Sequence, residues 1–180
     1  MGGGLGSGTP ALYDLLMLPE MKRAKRRADP YRDTQVIDER APRVNQTVVG
    51  LISLLAVGTG WWWLLALLAL QLALGLTLGR RWCLACVAYF ELIQPRVGEG
   101  RLEDARPPRF ANLVGLAVLT GATLAYAGGF TTVGAALGLL VGALALLAAT
   151  TGFCAGCTAY KLAYRLTGRT FVSCPLPPAP

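Results

Sequence analysis

The sequence predicts an all-α protein, a four-span transmembrane helical bundle made of two parallel-repeat helical hairpins. Three observations carry this. Two stretches hold no Asp, Glu, Lys or Arg: the 36 residues between Arg43 and Arg80, and the 51 between Arg109 and Lys161. All 17 Lys and Arg residues lie before, between or after those stretches. A Cys-x-x-Cys motif occurs twice, at Cys83/Cys86 and Cys154/Cys157, with the copies 71 residues apart.

A spanning helix needs roughly 20 apolar residues, so each charge-free stretch fits two helices and a short turn. A charge at the centre of a span costs roughly 2.5–3.5 kcal/mol on insertion scales, which selects such gaps. Only 15% of the 180 residues are charged, against 54% hydrophobic. A soluble domain carries about 25% charged residues. Two buried hairpins in a soluble protein would have too little polar surface to cover them. The net charge of +7 does not point to nucleic acid, because the basic residues flank the apolar stretches as a topology signal does.

Along the chain, residues 1–35 form an N-terminal segment. It has a glycine-rich start, no expected secretory leader, and an amphipathic helix over Pro10–Arg27 suited to a lipid surface. Residues 36–95 are the first repeat and 96–168 the second. Each has a polar lead, two transmembrane helices and a Cys-x-x-Cys. Residues 169–180 are a proline-rich tail expected to be unstructured, and Cys174 within it is treated as incidental. The spans are expected over Val44–Val57, Trp61–Leu78, Phe110–Ala127 and Thr131–Thr150. Gly58-Thr59-Gly60 and Gly128-Gly129 supply the turns. Trp61, Trp62 and Trp63 fit the far interface. Gly134, Gly138 and Gly142 form a small-residue face for close helix packing.

The repeat rests on two offsets. At 66, Asp38 matches Asp104, Arg40 matches Arg106, Pro42 matches Pro108, Arg43 matches Arg109, and Gln46 falls on Asn112. At 71, the dithiols and Tyr89/Tyr160 match. Two-span units point the same way, related by an axis along the membrane normal. Positive charge is retained on the cytoplasmic side, so both termini and both Cys-x-x-Cys motifs are expected there.

Cytoplasmic cysteines serve more often as metal ligands or redox groups than as structural disulfides. Two functions stay open. In the first, Cys83, Cys86, Cys154 and Cys157 are catalytic thiols for thiol–disulfide exchange or sulfur relay. Arg43, Arg109, Gln46 and Asn112 would support them, and Arg80 and Arg81 abut the first pair. In the alternative, the same four cysteines hold zinc or an iron–sulfur centre as a structural Cys₄ site stapling a membrane scaffold. With no histidine in the chain, a mixed Cys/His site is excluded. Tyr89 and Tyr160 read as interface anchors, and Asp38–Arg40 and Asp104–Arg106 as local pairs that fix the leads. No intramembrane charge marks a transport path.

The lead Ile37-Asp38-Glu39-Arg40-Ala41-Pro42-Arg43-Val44-Asn45-Gln46, its partner Arg106-Pro107-Pro108-Arg109-Phe110-Ala111-Asn112, and the two motifs Cys83-Leu84-Ala85-Cys86 and Gly152-Phe153-Cys154-Ala155-Gly156-Cys157 resemble a known family. It is the set of bacterial integral membrane proteins catalogued as domain of unknown function 4395. The resemblance covers about Val36 to Arg165. It implies a multi-pass protein of the bacterial inner membrane, associated with thioredoxin-like or sulfurtransferase partners. It establishes no activity and no cofactor, and it leaves homo-oligomerisation open. The quinone-linked disulfide oxidoreductases also combine four spans with two cysteine pairs. They place the pairs outside the cell, opposite to the charge placement here, and no quinone motif is evident in this sequence.

Overall fold

The computed structural model describes residues 28–166. The helix expected over Pro10–Arg27, the proline-rich tail and Cys174 lie outside the described residues. The described chain is mostly helical. Its helices are α1 (Arg40–Thr59), α2 (Trp63–Thr77), α3 (Leu84–Ala88), α4 (Gln94–Val97), α5 (Arg106–Ala127), α6 (Thr131–Thr151) and α7 (Ala155–Leu166). A 3₁₀ turn at Arg80–Trp82 precedes α3, and a π-helical turn at Tyr89–Ile93 joins α3 to α4.

The two polar leads, expected only as connectors, end in short strands, β1 (Val36–Asp38) and β2 (Leu102–Asp104). They pair antiparallel, with Val36 opposite Asp104, Ile37 opposite Glu103 and Asp38 opposite Leu102. Glu39 N–H donates to Arg101 O, and Ala105 N–H to Gln35 O, both at 2.9 Å, extending the pairing at either end.

Each lead aspartate then starts a helix. Asp38 Oδ1 accepts the Arg40 N–H at 3.0 Å, and Asp104 Oδ1 accepts the Arg106 N–H at 2.8 Å. The first N–H groups of a helix have no intrahelical partner, so these carboxylates satisfy what the helix cannot. Pro42 and Pro107 sit in the first turns, where a missing N–H is tolerated. Arg106 Nη2 reaches Asp104 Oδ2 at 2.6 Å, the local pair expected there. Asp38 takes a different set: it also accepts from Gly100 N–H at 2.8 Å and Gln94 Nε2 at 3.3 Å. Burial opposes its charge, but these donors outweigh it and hold its pKa below the usual carboxylate value.

Among the described residues, two helices are long and apolar enough to cross a membrane, α5 and α6. This corrects the expectation of four helices that qualify on length and composition. α2 has only 15 residues, and α1 opens with Arg40, Arg43, Asn45 and Gln46, which dilute its hydropathy. In α5 and α6, only 11% and 28% of the most apolar window is buried. Leu113, Leu124, Leu139, Leu140, Leu144 and Leu147 on these helices are exposed, whereas Leu119 is buried.

α1 packs chiefly on α6, and α2 on α5. The glycine face of α6 explains the first contact. A Cβ on Gly142 would stand 2.9 Å from Leu54 Cδ2, and one on Gly138 2.8 Å from Val57 Cγ2. On the other side, a Cβ on Gly50 would meet Leu146 Cγ at 2.7 Å. These three positions therefore set how closely the helices approach. A narrow apolar core of Ala56, Leu65, Leu68, Leu119 and Ala122 runs between the four long helices. Trp61, Trp62 and Trp63 are exposed at the α1–α2 turn, the end of α1 away from the lead.

Candidate functional site

The second dithiol is built at a helix start. α6 ends at Gly152, whose φ of 74° suits glycine alone without strain. The chain turns there, and Cys154 precedes the first residue of α7. Its Sγ accepts the backbone N–H of Cys157 at 3.2 Å. A sulfur at that position is stabilised as thiolate by the unpaired N–H groups and the helix dipole. The hydrogen bond from the Cys157 side chain is the largest contribution. With the Cys157 and Gly156 N–H groups and the Gln46 side chain, it outweighs burial and brings Cys154 to about 6. The same pairing, reinforced by burial, pushes Cys157 up. Both thiols are free and half-buried. Gly156 permits the arrangement, since a Cβ there would lie 2.8 Å from Ala111 Cα on α5.

The first dithiol uses the same local geometry in another state. Cys83 precedes α3, and its Sγ accepts the Cys86 N–H at 3.3 Å. Here the two sulfurs are joined in a disulfide with Cα atoms 5.2 Å apart. They are 6% and 9% exposed, packed with Ala41, Tyr89 and Phe90. Asn45 Oδ1 lies 3.7 Å from Cys83 Sγ. In the disulfide this sulfur carries no proton, and reduction would give it one to donate.

The expected supporting residues cross over between the halves. Arg43, which precedes the first dithiol in the chain, faces the second: a Cβ on Gly152 would lie 3.1 Å from Arg43 Nη2. Arg43 and Gln46 line a polar pocket of about 360 Å³ together with Cys154, Cys157 and Lys161. Arg109 instead lines a cavity of about 60 Å³ with Cys83 and Cys86, and Asn112 lines it as well as the space beside Cys154. Asn45 and Asn112 meet at 3.4 Å between the two sites. Both dithiols therefore flank the opening turns of α1, at one end of the bundle.

The family model described as Domain of unknown function (DUF4395) matches residues 37–165. The chain belongs to the DUF4395 family. No curated protein and no solved structure matches it.

In this DUF4395 chain several expectations need correction. The four sulfurs do not converge: among the described residues, no three Cys, Asp or Glu side chains are grouped to hold a metal ion. The Cys₄ zinc or iron–sulfur site is therefore not formed. The Cys83–Cys86 bond consumes two of its thiolates, and each pair sits with different neighbours. Arg80 does not serve the first dithiol as a free cation. It donates to the carbonyls of Pro30 and Thr34 at 2.9 Å each and Val36 at 2.6 Å, strapping the segment before β1. Burial, then the nearby Arg109 charge, lowers it to about 10. Arg81 lies over the Tyr31 ring at 5.3 Å. Tyr89 is fully buried rather than an interface anchor. Burial and the Asp38 carboxylate beside it push its hydroxyl pKa up. Tyr160 stacks between Phe110 and Tyr164, with ring centroids 5.5 and 5.1 Å away.

Sequence reasoning about the DUF4395 chain passed over Asn45 and Gly156 as site residues. A signal for Asn45 was present, since two adjacent carboxamides one turn into an apolar helix are costly unless they have partners.

Proposed function

We propose that this protein is a membrane-embedded thiol–disulfide exchange protein whose working pair is Cys154 and Cys157. The observation that carries the reading is a free thiol pair at a helix start, with Cys154 Sγ accepting the Cys157 N–H at 3.2 Å, an arrangement that lowers Cys154 and pushes Cys157 up. The attacking thiol in exchange must be a thiolate near ambient pH, and its partner must hold a proton until the second step. Cys154 Sγ attacks a sulfur of the partner's disulfide, and the partner's other sulfur leaves as thiolate. Cys157 then loses its proton and attacks Cys154 Sγ. The Cys154–Cys157 bond forms, and the partner departs as a dithiol. The polar pocket with Arg43 and Lys161 is the water-side approach for a thioredoxin-like protein, or for a sulfurtransferase if Cys154 carries a sulfur atom. The buried Cys83–Cys86 disulfide is the slower pair.

The membrane placement has α5 and α6 as its spans, with α1 and the shorter α2 packed against them as the other of two repeated hairpins and both dithiols toward the cytoplasm. Its supports are the charge-free stretches, the outward leucines of α5 and α6, and the position of every Lys and Arg. The register of the leads supports the repeat. At the offset of 66, Val36 and Asp38 exchange with Leu102 and Asp104, so the ladder maps onto itself about Ile37–Glu103. The crossover of Arg43 and Arg109 is what a two-fold relation between the halves requires.

Trapping tests the exchange. With an oxidised thioredoxin-like protein, Cys157→Ser should accumulate a mixed disulfide through Cys154, and Cys154→Ser should form none. Equal trapping by both variants would remove the assignment of attacker and resolver.

A further inference from the structure

Cys154 belongs to two cavities at once. One is the polar pocket already described. The other is an apolar cavity of about 130 Å³ between α1, α5 and α6, with Cys154, Gln46, Asn45 and Asn112 at one end. Its walls are Val49, Leu72, Val118, Leu140 and Leu144. On its outer face Val114, Leu140 and Leu144 are 43%, 50% and 43% exposed, so it opens among the outward-facing side chains of α5 and α6. Cys157 lines the polar pocket and not this cavity.

From this placement we infer that the apolar cavity binds a lipid-soluble quinone, which takes the electrons of the Cys154–Cys157 dithiol. Small-molecule sites combine apolar walls with a few convergent polar groups, and this cavity has them at one end only. A water needs about 10–15 Å³ of such space, so the volume admits about ten water-sized bodies, room for one ring with its oxygens. The carboxamides of Gln46 and Asn112 are N–H donors of the kind a quinone carbonyl accepts. A lipid acyl chain would match the walls, but it offers no acceptor to a carboxamide N–H at the polar end and nothing that takes electrons from the Cys154 sulfur.

The inference rests on the exchange reading above and gives the same dithiol a second, lipid-soluble oxidant. Cys154, as thiolate, supplies one sulfur and Cys157, as thiol, the other. The Sγ–Sγ bond forms and two electrons pass to the quinone. One proton comes from Cys157 and one from water, and the product is the hydroquinone. The Cys154–Cys157 disulfide so formed is reduced again by a soluble dithiol at the polar pocket, the exchange step run in reverse, so one sulfur faces both phases.

The test uses the full chain in lipid nanodiscs, reduced at Cys154 and Cys157. The probe is a fully ring-substituted benzoquinone with a short alkyl tail, which cannot simply add a thiol at an open ring position. Quinol absorbance and thiol loss are followed together, and oxidation by a soluble aromatic disulfide is measured in parallel. Gly115 lines the cavity, and a Cβ there meets only Leu72 Cδ1, at 3.6 Å. The position therefore accepts a Cβ, and Gly115→Leu places the rest of its side chain at the cavity wall.

The expected result is one quinol per dithiol oxidised in the wild type. Quinol formation should be lost in Gly115→Leu, with the soluble-disulfide rate retained. If that variant also loses the soluble-disulfide reaction, Leu144→Trp repeats the block from the outer face. Oxidation by the soluble disulfide without quinol formation overturns the quinone site and leaves the exchange reading standing. Unchanged quinol formation in the filled variants overturns it as well. If neither oxidant reacts, the exchange reading falls, and the quinone with it.

Discussion

Asn45 donates its side-chain N–H to Asn112 Oδ1 at 3.4 Å, joining the opening turns of α1 and α5 between the two dithiols. Asn45 is 3% exposed and also lies beside Cys83. Removing one partner of a buried hydrogen bond leaves the other unsatisfied, at a cost of about 1–3 kcal/mol. Asn45→Leu and Asn112→Leu should each destabilise the protein by that order, and the two together by less than the sum of the singles. Thermal unfolding in detergent of the two singles and the double checks both expectations.

The thiolate at Cys154 gives a pH profile. A thiol lowered to about 6 is mostly protonated below that pH and mostly thiolate above it. Alkylation by iodoacetamide should therefore rise through pH 6 and level off near neutrality, where an ordinary thiol of pKa about 8.5 is still climbing. Gln46→Leu removes one of the donors that lower Cys154 and should move the midpoint upward. Mass-spectrometric labelling of the Cys154 peptide against pH reads the midpoint directly. A midpoint above 8 in the wild type would contradict the geometry at the start of α7.

The long helices were readable because the two stretches without charge hold α2 and α6 whole and most of α1 and α5. Their ends were less readable. α1 begins at Arg40 rather than Val44 because Asp38 caps it from the strand, a contact invisible until the leads pair. Three-residue strands have too few positions to show an alternating pattern, so β1 and β2 could not be seen in either lead alone. The service of Arg43 to the second dithiol was hidden for a related reason. Chain order places it nearest Cys83, and only the packing of α1 on α6 carries it to Gly152. Nor does identical Cys-x-x-Cys spacing show which pair is buried. That follows from Tyr89 and Phe90 closing over Cys83 and Cys86, whereas Cys154 and Cys157 line the polar pocket with Arg43 and Lys161.

Asp38 ties the first lead to the rest of that half. It is 2% exposed, with donors from Arg40, Gln94 and Gly100. Its folded pKa is depressed, so its contribution to stability is present above the unfolded value of about 3.9 and is lost as pH falls through the folded value. Asp38→Ala removes that contribution at every pH and leaves buried donors without an acceptor. Its unfolding temperature should fall well below that of wild type at neutral pH, and the gap should narrow in acid. A constant gap between pH 7 and pH 3 would show that the carboxylate charge is not what matters.

Gly156, inside the second motif, sits where a Cβ would meet Ala111 Cβ at 2.7 Å and Ala111 Cα at 2.8 Å. The Cα atom cannot swing aside as a long side chain would. Gly156→Ala should therefore force α7 away from α5, at roughly the 1–3 kcal/mol typical of overpacking. The displacement would pull Cys154 from Gln46, so exchange should slow along with the loss of stability. Ala111→Gly in the same chain removes the opposing methyl but not the Cα, and should restore only part of both. Full rescue by Ala111→Gly would mean that the methyl alone limits the approach.

The two motifs should differ sharply toward reagents. Cys154 and Cys157 are free and half-buried, whereas Cys83 and Cys86 are joined and enclosed by Ala41, Tyr89 and Phe90. Thiol–disulfide exchange requires access of the attacking thiolate to a sulfur, so a mild reductant followed by a maleimide should label the second pair first. Tyr89→Ala opens the cover and should speed labelling of Cys83 and Cys86 without changing Cys154. Peptide mapping of labelled protein over time separates the pairs. If Cys83 and Cys86 were labelled as fast as Cys154 in the folded wild type, Tyr89 and Phe90 would not be acting as a lid.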